Sequence, residues 1–66
     1  MEFGTYIKEQ CQIKGMSLYQ LSKLSGVRAT TISSYVNHGI QPTIGKADAL
    51  LRALGVTMTL GKEQNP

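Results

Sequence analysis

Apolar residues fall into four stripes of helical period separated by glycines, followed by one stretch of a different period. In residues 3 to 14, FGTYIKEQCQIK, the stripe passes through Phe3, Tyr6 or Ile7, Cys11, and Ile13 or Lys14. That i, i+3/4, i+7/8 spacing predicts a first helix with one inward face. Gly15 ends it, because glycine tolerates the left-handed backbone that closes a helix. Ser17 stands at the N-cap position of a second helix, and Gln20, three residues on, completes the spacing of a capping box. This helix is predicted over Leu18 to Ser25, with Leu18, Leu21 and Leu24 or Ser25 inward and Ser22 small enough for close approach. Gly26 stops it.

A third helix is predicted from Arg28 or Ala29 to Asn37. At about 100° per residue, Ala29, Tyr35 and Val36 lie within about 60° of Ile32, while Thr30, Ser33, Ser34 and Asn37 gather on the far side. One face is therefore apolar and the other carries short hydrogen-bonding groups. HGIQP, 38 to 42, is a turn. Thr43 caps a fourth helix over Ile44 to Leu54, with Ile44, Ala47, Leu50, Leu51 and Leu54 inward, and Gly55 ends it.

VTMTL, 56 to 60, alternates with period 2 and predicts a strand. A solitary strand leaves its backbone groups unpaired. Its cheapest partner is the same strand of a second copy, antiparallel about a two-fold axis. That places Val56, Thr57, Met58, Thr59 and Leu60 in a homodimer interface. The alternatives are a loop or a short fifth helix packed on the bundle. GKEQNP, 61 to 66, is a fraying tail.

With 66 residues the chain is one domain, all-α apart from this strand, and its core is small. Cys11 is the only cysteine, so no disulfide forms within one chain. One Cys and one His make a structural zinc site unpromising. No metal or cofactor is expected. A single cysteine fits a reducing cytoplasm. No apolar run is long enough to span a membrane and no secretory signal is evident. The formal net charge is +3. Its distribution matters more: no carboxylate lies between Glu9 and Asp48, a stretch that carries Lys14, Lys23, Arg28, His38 and Lys46. A surface of one sign suits a polyanion.

The second helix, the tight SGV turn and the third helix, about residues 17 to 37, have helix-turn-helix spacing. Gly26 permits the turn, Val27 plugs the angle, and Leu21 and Ile32 can pack to fix it. The stretch from Gly15 to Val56 resembles the λ-repressor-like, Cro/Xre helix-turn-helix family. The resemblance runs through Gly15, Ser17, Leu21, Ser22, Gly26, Val27, Thr31, Ile32, Ser33, Asn37, Gly39, Pro42, Leu50, Leu54 and Gly55. FGTYIK resembles the opening of the family's first helix. ALGVTMTL is similar to the end of HipB-type antitoxins, which pair a strand there in the dimer. Many family members hold a buried Arg–Glu pair where this chain has Cys11 and Val36. Both charges are absent together, so neither is left unpaired, and Cys11 reads as packing. NHG, for the family's NG, adds one residue before the next loop.

The resemblance implies double-stranded DNA as partner, with bases read from the third helix. Candidate base contacts are Arg28, Ala29, Thr30, Ser33 and Ser34. Short hydroxyl side chains allow close approach to base edges. Arg28 is the one group there able to fork onto a guanine or a phosphate. Candidate phosphate contacts are Ser17 and Leu18 at a helix N-terminus, with Lys23, Asn37, Thr43 and Lys46. The leading expectation is a repressor acting as a homodimer on a palindrome. The alternatives are a HipB-like antitoxin that also holds a toxin protein, and a protein-binding adaptor. An enzyme is not expected: no His/Asp/Ser or metal constellation is present, and His38 stands alone.

Overall fold

The structure, a computed structural model, describes residues 2–56. Four helices follow in order: α1 (Phe3–Lys14), α2 (Leu18–Ser25), α3 (Ala29–His38) and α4 (Ile44–Ala53). Their ends are set by local chemistry. Gly15, Gly26, Gly39 and Gly55 all have positive φ, and Gly15, Gly26 and Gly39 are the C-caps of the first three helices. At the start of α2, Ser17 Oγ accepts from the Gln20 N–H at 3.0 Å, and Gln20 Oε1 accepts from the Ser17 N–H at 2.8 Å. The predicted capping box is therefore formed. Thr43 Oγ1 accepts from the Lys46 N–H at 3.2 Å and caps α4. The added residue in NHG extends α3 by one position, to His38, and the reversal falls on Gly39.

The helices pack around one apolar cluster: Ile7, Cys11, Leu21, Val27, Ile32, Tyr35, Leu50 and Leu54. α2 lies against both α3 and α4, and α1 lies against α3. Leu21 and Ile32 are fully buried in that cluster, as the helix-turn-helix reading requires. The α2–α3 turn is braced locally: Ser25 Oγ accepts from the Val27 N–H at 3.1 Å, and Val27 is buried beneath it. Phe3 meets Tyr35 edge-on, with ring centroids 6.1 Å apart.

Two expected inward positions are corrected, Ile44 and the Ile13-or-Lys14 position, while the Leu24-or-Ser25 alternative falls to Ser25. Ile13 is 75% exposed, Leu24 63% and Ile44 65%. Of the paired alternatives, Ile7 is buried where Tyr6 is half-buried, and Ser25 turns inward where Leu24 does not. Ile13 and Leu24 lie in the last turns of α1 and α2, and Ile44 opens α4. Each apolar stripe runs past the arc that a neighbouring helix covers.

The predicted strand over 56–60 lies outside the described residues except for Val56. Val56 is half-buried against the core, and its N–H donates to the Leu51 carbonyl at 2.8 Å. No helix among the described residues is long and apolar enough to cross a membrane.

Candidate nucleic-acid interface

The outer face of α3 forms because Ile32 and Tyr35 are buried and turn the opposite side of the helix outward. Of the five candidate base contacts, Arg28 and Thr30 are exposed, while Ala29, Ser33 and Ser34 are half-buried. Arg28 is the N-cap of α3 and makes no capping bond with its side chain, so its guanidinium is not tied to the helix. Ser34 Oγ donates to the Thr31 carbonyl at 2.6 Å, so its proton is engaged and it faces outward as an acceptor. Ser33 Oγ accepts from Asn37 Nδ2 at 2.8 Å, which fixes the Asn37 amide across one turn and leaves its carbonyl oxygen and second N–H free.

The candidate phosphate contacts separate into three places. Ser17 and Leu18 begin α2, and Asn37 lies close by at the end of α3: all three line one concavity of about 330 Å³. The Ser17 amide is spent on the capping box, so the amides left without an intrahelical acceptor are those of Leu18 and Tyr19. Thr43 and Lys46 lie at the start of α4, where Thr43 is occupied as the cap. Lys23 stands apart on α2, its Nζ over the Tyr19 ring at 5.3 Å from the centroid. An exposed cation–π contact of this kind is weak enough, about 0.5–1 kcal/mol, to yield to a phosphate.

Two residues not singled out from the sequence join the first group. Lys8 and Gln12 of α1 line the same concavity as Ser17, Leu18 and Asn37. The available signal was spacing: Lys8 precedes Cys11 by three and Gln12 follows it by one, so all three flank one edge of α1. Cys11 and Val36, the two residues standing in the slots of the family ion pair, also line this concavity. The Cys11 thiol is pushed up from its ordinary 9.0 by burial, which keeps it neutral and unreactive.

No acid lies between Glu9 and Asp48, and Glu2 Oε1 comes within 3.9 Å of where a Cβ on Gly39 would stand, at the end of α3. The only salt bridge among the described residues joins Asp48 Oδ2 to Arg52 Nε at 2.9 Å. Asp48, the first acid after Glu9, is thereby balanced. Among the described residues no group of three or more His, Cys, Asp or Glu is placed to hold a metal ion.

Comparison with characterised proteins and with solved structures gives no match. A family model described as Helix-turn-helix matches residues 7–60, which takes in α2, α3 and α4 whole and α1 from Ile7. With the capping box, the glycine turn and the buried Leu21 and Ile32 all in place, the chain belongs to the λ-repressor-like, Cro/Xre helix-turn-helix family and is a DNA-binding transcription regulator.

Proposed function

We propose that the protein is a repressor that binds a palindromic operator as a homodimer and reads it with α3. The observation that carries this is the outer face of α3: exposed Thr30 and Asn37, the acceptor oxygen of Ser34, and Arg28 at its head, on a stretch with no acid between Glu9 and Asp48. Long Glu and Lys side chains favour a merely solvated helix more than Ser and Thr do. Short side chains instead let the backbone approach base edges, where hydroxyls bond to either donors or acceptors and Thr methyls meet thymine. Phosphates on either side are held by the start of α2 with Asn37, and by Lys46.

The homodimer reading rests on the period-2 run Val56 to Leu60. One copy reads one half-site, so two copies on a two-fold axis read a palindrome. Selection of bound duplexes from random DNA, followed by sedimentation of wild type and Met58→Pro, tests both parts. Recovered sites with two-fold symmetry, and a dimer weakened by the proline, are the expected results. Asymmetric sites bound by a monomer would sink the reading.

The likeness of ALGVTMTL to HipB-type antitoxins supports a second reading, in which the same DNA binding accompanies capture of a toxin protein. A kinase-like toxin frame beside this gene distinguishes the two.

A further inference from the structure

Arg28 and Lys46 are eighteen positions apart in sequence and sit on different elements, yet they line one cleft. Its volume is about 370 Å³, and its other walls are Ser25, Gly26, Val27, Thr31, Gly45 and Ala49. At about 30 Å³ per water it holds roughly a dozen waters, so a small anion can enter with part of its hydration shell.

Three features give the cleft its chemistry. Two cations and no carboxylate line it. Neither Arg28 nor Lys46 has an acidic partner among the described residues, since Asp48 is engaged by Arg52. Gly26 and Gly45 leave it open: a Cβ built at either would meet nothing within 4 Å. Thr31 brings the cleft to α3 itself, one residue from Thr30, so it opens beside the reading face. Unpaired like charges that share a cleft repel one another, and a bound anion relieves that repulsion. A guanidinium and an ammonium together match the oxygens of a phosphate.

We propose that this cleft seats one phosphate of the DNA backbone, held jointly by Arg28 and Lys46, so that Arg28 anchors the helix rather than reading a guanine. The proposal rests on the DNA-binding reading above and assigns Arg28 within it. It makes the α2–α3 turn and the head of α4 a single clamp that sets the depth of α3 in the groove. Sequence preference then falls to Thr30, Ser33 and Ser34.

The test is a scan of the selected operator with single methylphosphonate substitutions, each neutralising one phosphate. One phosphate per half-site should weaken wild-type binding by about tenfold or more when neutralised, the scale of a charge-assisted hydrogen bond. Both Arg28→Gln and Lys46→Gln should become insensitive at that same phosphate, and both should bind operator and random duplex more weakly in equal proportion. Gly45→Glu, which fills the cleft with a carboxylate and leaves both cations in place, should also lose the sensitivity. Arg28→Gln and Lys46→Gln losing sensitivity at two different phosphates would overturn the proposal. So would sensitivity of wild type, but not Arg28→Gln, to 7-deazaguanine at one position.

If wild type binds no duplex, the functional reading itself fails, and titration with inorganic phosphate then decides the cleft alone. Amide shifts at Gly26 and Gly45 that vanish in Arg28→Gln support a phosphate seat for a free anion. Unchanged amides overturn it.

Discussion

Gly4 packs directly on the backbone of Tyr35. A Cβ built on Gly4 would lie 1.8 Å from the Tyr35 carbonyl oxygen and 3.0 Å from the Val36 Cα. The crossing of α1 over α3 is therefore a backbone-to-backbone contact, with the Phe3 ring closing over Tyr35 beside it. This contact holds the buried side of α3, since Tyr35 lies one turn from Ile32.

Gly4→Ala should accordingly destabilise the fold, although alanine favours helix. Backbone cannot swing aside as a side-chain tip can, so α1 must shift. Overpacking of this kind costs about 1–3 kcal/mol, sometimes more, against about 1 kcal/mol gained in helix propensity. A urea midpoint below that of wild type is the expected result; an unchanged one would mean that α1 and α3 do not cross there.

The same substitution at Gly45 should have the opposite sign. Gly45 is helical, in the first turn of α4, and a Cβ there meets nothing within 4 Å. Gly45→Ala should stabilise by up to about 1 kcal/mol through helix propensity alone. The pair of alanine variants, compared by urea unfolding, separates steric contact from propensity.

Val36→Glu should destabilise by about 2 kcal/mol, the cost of placing an unpartnered carboxylate against the core. Val36 is half-buried and lines the same concavity as Cys11. Adding Cys11→Arg rebuilds the ion pair of the family and should recover part of the loss. A double-mutant cycle with coupling below about 0.5 kcal/mol, the level of independent sites, would place the two residues out of reach of each other.

Burial raises the Cys11 thiol above its ordinary 9.0. The neutral thiol is the form the fold prefers, so its contribution is fully present below that value. Above it the unfolded chain releases a proton that the folded chain retains, and stability falls as pH rises through the folded value, by at most about 1.4 kcal/mol per pH unit. Cys11→Ala lacks this loss. The stability gap between wild type and Cys11→Ala should narrow above pH 9 in urea titrations, and a constant gap would mean the thiol is not buried.

Thr30→Ala and Ser34→Ala should separate reading from anchoring. Each is expected to cost about 1–3 kcal/mol on the selected operator and little on random duplex. Ser34 contributes as an acceptor, since its proton is held by Thr31, so its effect should be confined to a base that donates at that position. If neither variant alters affinity or preference, α3 is not the reading helix.

The sequence by itself placed the helix boundaries to within one residue, α3 ending at His38 rather than Asn37 and α4 at Ala53 rather than Leu54. Gly15, Gly26, Gly39 and Gly55, the Ser17–Gln20 box and the Thr43 cap all act within four or five residues of themselves, so their partners are present in the sequence window. It also determined that Leu21, Ile32 and Leu50 are buried and that Thr30 is exposed, because helical period fixes opposite faces. It placed Ile13 and Ile44 on the wrong side and left Leu24 or Ser25 open, since period gives the direction of a face but not how far along the helix a neighbour covers it. Only tertiary structure decided three further matters: that Gly4 is needed for contact with Tyr35, that Lys8 joins Ser17 and Asn37, and that Arg28 and Lys46 share a cleft. In each case the partners come from different helices, and their meeting depends on the point and angle at which those helices cross. That geometry is set by the summed packing of the core, which no local stretch of the chain encodes.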